Sequence, residues 1–89
     1  DYYLKDRLFI QGLIQLSVSF VHLKNNNLNG AKSLLNKCKQ KFEGLDFQRG
    51  IDVKKLLISI EKVQDSYDHI DSSEDFNWNL VPRLGQNFE

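Results

Sequence analysis

Positions 8–23 read LFIQGLIQLSVSFVHL, the one stretch that is apolar on more than one face at helical spacing. Phe9, Leu13, Leu16, Phe20 and Leu23 form one stripe, and Ile10, Ile14, Val18 and Val21 form a second beside it. A surface helix carries a single apolar face of roughly 100° or slightly more. Two stripes therefore predict a central helix with neighbours on most sides. What remains of the helix surface is a polar line of Gln11, Gln15, Ser19 and His22, at steps of four, four and three. A buried polar group without a partner costs about 1–3 kcal/mol, so this line either meets water and matching groups or lines a groove that takes polar groups from another segment or a ligand. Gly12 lies beside the line. Mid-helix glycine costs roughly 0.5–1 kcal/mol relative to alanine, which points to close approach of another backbone there.

The same stretch is not read as a membrane span. Two glutamines, two serines and a histidine interrupt it, and it falls short of the ~20 apolar residues that a bilayer requires. Eighty-nine residues allow one domain at most, and a chain of that size buries only roughly 60–65% of its unfolded surface. Stability is then marginal and a partner would add to it. Twelve basic and twelve acidic residues cancel to a formal net charge of zero, so no overall field favours nucleic acid or anionic lipid. Cys38 is the only cysteine, which excludes an internal disulfide or a cysteine-based zinc site and fits a reducing compartment, cytoplasm or plastid stroma. No secretory signal or Arg-rich transit sequence is present. A start at Asp1 and the lack of Met leave open a fragment or trimmed product.

Taken in order, Tyr2, Tyr3 and Leu4 read as the lead-in or first turns of the central helix, with Asp6 placed to favour its dipole. Asn25, Asn26 and Asn27 end it in a tight helix–helix connection, since Asn both tolerates left-handed turns and caps helices. A second helix runs from Leu28, capped by Asn27, to Phe42, before Gly44. Its single stripe is Leu28, Ala31, Leu34, Leu35, Cys38 and Phe42; the lysines Lys32, Lys37, Lys39 and Lys41 form a solvated face. Leu45 and Phe47 in the following loop are expected to tuck into the core edge. Asp52 caps a third helix to about Ile70, with Val53, Leu56, Leu57, Ile60, Val63, Tyr67 and Ile70 on one side.

Residues 71–89 lose periodicity, and Pro82 forbids a regular helix there. Phe76, Trp78, Leu80, Val81, Leu84 and Phe88 make this tail too apolar for a disordered segment. It reads as an extended strap over residues 1–70, or as a docking peptide for a larger partner with Phe76 and Trp78 as anchors.

Residues 16–42 are similar to a tetratricopeptide hairpin: Asn26-Asn27-Leu28 sits at the turn, Ala31 at the small position after it, and Cys38 at the next small position. One such unit supports an antiparallel hairpin, not a repeat array. More specifically, Leu8-Phe9-Ile10-Gln11-Gly12-Leu13-Ile14-Gln15-Leu16, His22-Leu23, Asn27-Leu28-Asn29-Gly30-Ala31, Leu34-Leu35 and Gly50-Ile51-Asp52-Val53 resemble domain-of-unknown-function family 309, over about residues 4–70. The resemblance implies a small all-helical protein. It also implies a further upstream helix with a His-Glu and Trp pattern, which this chain does not show, as a natural partner for Gln11, Gln15 and His22.

No catalytic constellation is legible. His22 and His69 lack the spacing of a metal site, and the acidic run at Asp65, Asp68, Asp71, Glu74 and Asp75 reads as a solvated helix end. Cys38 lies on a core stripe, and Gly30 and Gly50 are isolated, so neither thiol chemistry nor a phosphate loop is indicated. The expected fold is an all-α bundle of three helices with a tetratricopeptide-like antiparallel hairpin and an irregular C-terminal strap. The expected function is a non-catalytic accessory subunit that docks onto a larger protein complex, without cofactor, metal or nucleic acid. One alternative is a small-ligand or metal-dependent enzyme that uses the polar line with an upstream helix. Another is a peripheral subunit of a photosynthetic membrane complex, without a membrane span of its own.

Overall fold

The computed structural model describes residues 2–84. Helix α1, Tyr2–Lys24, packs antiparallel to α2, Leu28–Phe42, and α3, Val53–His69, closes the bundle. Two short 3-10 turns, Ser73–Asp75 and Trp78–Leu80, carry the strap back over the helices.

Three asparagines make the first connection. Asn26 takes a φ of 59°, and its N–H bonds to the Leu23 carbonyl at 3.2 Å while the Asn27 N–H bonds to the His22 carbonyl at 2.8 Å. This pair of bonds is the Schellman arrangement, with Asn in the left-handed position where glycine is commoner. Asn27 then caps α2, its Oδ1 accepting from the Gly30 N–H at 2.9 Å. One helix end and the next helix start are thus both satisfied by three residues, which allows α1 and α2 to lie closely side by side.

The connection between α2 and α3 holds a small antiparallel pair, β1 Phe47–Gln48 and β2 Ile51–Asp52, with Gln48 opposite Ile51 and Phe47 opposite Asp52. Arg49 and Gly50 turn the chain with φ of 52° and 79°. Two positive φ values in a two-residue hairpin loop are the mark of a type I′ turn, whose hand matches strand twist. Asp52 ends the hairpin and caps α3, accepting from the Lys55 N–H at 3.1 Å.

The core draws Phe9, Leu16 and Leu23 from α1; Ala31, Leu35, Cys38 and Phe42 from α2; and Val53, Leu56, Ile60, Val63 and Tyr67 from α3, with Leu45 and Phe76 closing its edges. The one-sided stripes of α2 and α3 are therefore used as their spacing predicts.

Helix α1 departs from the expectation of a central helix. Its first stripe is core or half-buried, but Ile14 is 58% exposed and Val21 54%. Its most extensive contact is with α2, whereas α3 spends its contacts on α2, the hairpin and the strap. With that packing Ile14, Val18 and Val21 of the second stripe face solvent, while Ile10 is half-buried.

Three smaller expectations are also corrected. Phe47 is 67% exposed, because its strand pairing with the capping residue Asp52 holds it at the surface, and only Leu45 reaches the core. What sits against Gly12 is the ring of Phe42, not a backbone: a Cβ there would lie 2.8 Å from Phe42 Cζ. Asp6 falls beyond the first turn of a helix that begins at Tyr2, and it binds Arg49 instead of the helix end.

Candidate functional site

The polar line of α1 is divided by the fold. Ser19 is fully buried and its hydroxyl donates to the Ala31 carbonyl at 2.8 Å, with the Tyr67 hydroxyl 3.1 Å away. This contact ties all three helices together through one polar point. Burial raises the Tyr67 phenol above its ordinary range, against the lowering effect of the Ser19 hydrogen bond. His22 is half-buried, with Nδ1 3.3 Å from Asn27 Nδ2 at the helix connection. Gln11 and Gln15 are half-buried higher on the same line, and Gln15 Oε1 is buried without a hydrogen-bond partner among the described residues. Ser19 and His22 thus serve the packing of α1 against its neighbours, and the two amides are what remains of a candidate groove.

The aromatic tail forms a second locus. Phe76 is 5% exposed and packs on Tyr67 at 5.4 Å between ring centroids and on Trp78 at 5.2 Å, edge to face. Phe20 of α1 stands 6.1 Å from both Phe76 and Trp78. Trp78 keeps 42% of its surface in solvent, with the Lys24 ammonium 5.8 Å from its ring centre. Leu80, Val81 and Leu84 are half-buried against the core, and Phe88 lies outside the described residues. A shallow depression of about 270 Å³ beside this corner is lined by Leu23, Lys24, Asn26, Ser73, Glu74 and Trp78.

Titratable groups are dispersed. Among the described residues, no group of three or more His, Cys, Asp or Glu side chains is placed to hold a metal ion. His69 donates from Nδ1 to the Asp65 carbonyl at 2.7 Å, which raises its pKa, with the Asp65 carboxylate adding to the effect. Burial pushes the Cys38 thiol up to about 12, so the thiolate that nucleophilic chemistry needs is suppressed. No described helix is long and apolar enough to cross a membrane.

The third locus, which the stripes displayed without revealing its exposure, is the outer face of α1. Tyr3, Ile14, Val18 and Val21 present apolar side chains there. Their helical spacing was visible in the sequence. Which of two equally apolar stripes stays outside was not, because periodicity does not rank them.

These features define a small helical bundle built on an antiparallel hairpin, with an apolar outer helix face. A family model described as "Domain of unknown function (DUF309)" matches residues 2–34, so the first part of the chain is similar to that family. The match takes in α1, the asparagine connection and the start of α2; Leu35 and Gly50–Val53 of the sequence resemblance lie beyond it. No significant match was found among curated proteins or among solved structures.

Proposed function

We propose that this chain is a non-catalytic interaction module, an accessory part of a larger protein assembly that docks through the outer face of α1. The observation that carries this reading is the solvent exposure of Ile14, Val18 and Val21 on one side of a helix whose other side is already in the core. Large aliphatic side chains scattered singly on a surface need no explanation, but a continuous file along one helix marks an interaction surface. The exposed edge of Trp78 offers a second apolar contact of the kind enriched at interfaces.

The test is capture of associated proteins by the full chain, by Ile14→Asp and by Trp78→Ala. A defined partner lost with Ile14→Asp, while circular dichroism shows an intact fold, supports docking by α1. The same partner recovered equally by all three forms overturns it.

A second reading has one observation in its favour, the partnerless buried oxygen of Gln15. On that reading Gln11 and Gln15 receive polar groups from another segment or from a small ligand. Gln15→Leu separates the two: gain of stability without loss of partner leaves docking by α1 as the function, and loss of partner moves the interface to the polar line.

A further inference from the structure

We infer that the outer face of α1 pairs with the same face of a second copy, antiparallel, across a twofold axis near the middle of the helix; this rests on the reading of that face as an interaction surface and names its occupant. Tyr3, Arg7, Ile10, Ile14, Ser17 and Val21 succeed one another at steps of four, three, four, three and four. That is the a/d spacing by which one helix keeps a continuous seam toward another. All six are exposed except Ile10, which is half-buried. The seam runs about 27 Å at 1.5 Å rise per residue.

Its order is symmetric. When a copy is laid antiparallel about the midpoint between Ile10 and Ile14, Ile10 meets Ile14, Tyr3 meets Val21 and Arg7 meets Ser17. Each large side chain faces a smaller or equal one, and each residue finds its counterpart twice, as a self-complementary interface demands. A parallel, in-register pair would set Arg7 against Arg7 within the seam, and like charges at such positions destabilise. The antiparallel pair removes that clash by giving each guanidinium a serine. With a formal net charge of zero, two copies also meet without long-range repulsion.

Size sets the strength. The exposed fractions are 77% for Tyr3, 58% for Ile14, 54% for Val21, 50% for the flanking Leu4 and 36% for Val18. They leave roughly 500 Å² of these side chains accessible per copy, so a pair covers at most about 1,000 Å², the floor for a specific interface. The dimer is accordingly weak and concentration-dependent.

Sedimentation of the full chain from about 5 to about 500 µM brackets an interface of this size. The expected result is a shift from monomer to dimer mass across that range, with Ile14→Asp weakening association at least tenfold at unchanged helix content. Orientation is read from nitroxide labels at Val21→Cys and Tyr3→Cys, because buried Cys38 stays unlabelled. In the antiparallel pair, Val21 labels lie roughly 27 Å or more apart and a Tyr3 label comes close to a Val21 label. A chain that is monomeric throughout, a dimer untouched by Ile14→Asp, or a short distance between two Val21 labels overturns the inference. A monomeric chain that still loses a different protein with Ile14→Asp fails only the second-copy assignment. A chain that neither dimerises nor loses a partner with Ile14→Asp fails the docking reading as well.

Discussion

The two carboxylate oxygens of Asp6 each accept one hydrogen bond from Arg49, from Nε at 2.8 Å and from the terminal nitrogen at 2.9 Å, across 43 residues of chain. This paired contact holds the hairpin turn against the first helix. It also compensates a residue that carries positive φ without being Gly or Asn.

The hydrogen bond from Arg49 holds the Asp6 carboxyl below its ordinary value of 3.8. A group depressed in the folded state contributes stability that is present above the ordinary value and is lost as pH falls through the folded one. Urea midpoints of the native chain and Asp6→Asn should therefore differ above pH 4 and converge in stronger acid. Midpoints that differ by the same amount throughout would show that the ion pair carries no pH dependence.

Alanine at position 12 should destabilise by about 1–3 kcal/mol, because overpacking against the buried Phe42 ring outweighs the ~1 kcal/mol gain in helix propensity. Phe42→Leu combined with Gly12→Ala should recover part of that loss in a double-mutant cycle of denaturant unfolding. Additive losses would place the strain elsewhere.

Removal of the Ser19 hydroxyl as Ser19→Ala strands the Tyr67 hydroxyl in the core, at an expected cost of about 1–3 kcal/mol. Adding Tyr67→Phe should return some of it, since two apolar partners are cheaper than one unsatisfied group. Thermal unfolding of the two single variants and the double variant measures the coupling.

Cys38, fully buried and with its pKa pushed up to about 12, should resist thiol reagents at pH 8 in the native protein. Labelling should proceed only as fast as the chain opens, and should become complete in denaturant. Rapid reaction in native buffer would mean that α2 opens separately from the rest of the bundle.

Much of this molecule was legible from local chemistry. Asn27 and Asp52 cap their helices, Asn26 turns left-handed after α1, and the buried residues of α2 and α3 lie on the stripes their spacing marked. Caps and periodicity depend on residues within a turn or two of one another, so a linear reading finds them. The candidate site was less legible. Gln11, Gln15, Ser19 and His22 read alike along one line, yet Ser19 is sealed between Ala31 and Tyr67 while His22 sits at the connection.

The sequence by itself determined the three helices, the end of α1 and both limits of α2, the antiparallel pairing of those two and the apolar character of the segment after α3. Only the tertiary structure decided which stripe of α1 is buried, that Phe42 fills the space at Gly12, that Asp6 meets Arg49 and that Phe47 stays outside. The physical reason is range. Helix formation and capping are decided within a few residues, whereas burial of one face instead of another depends on side chains brought in from distant parts of the chain.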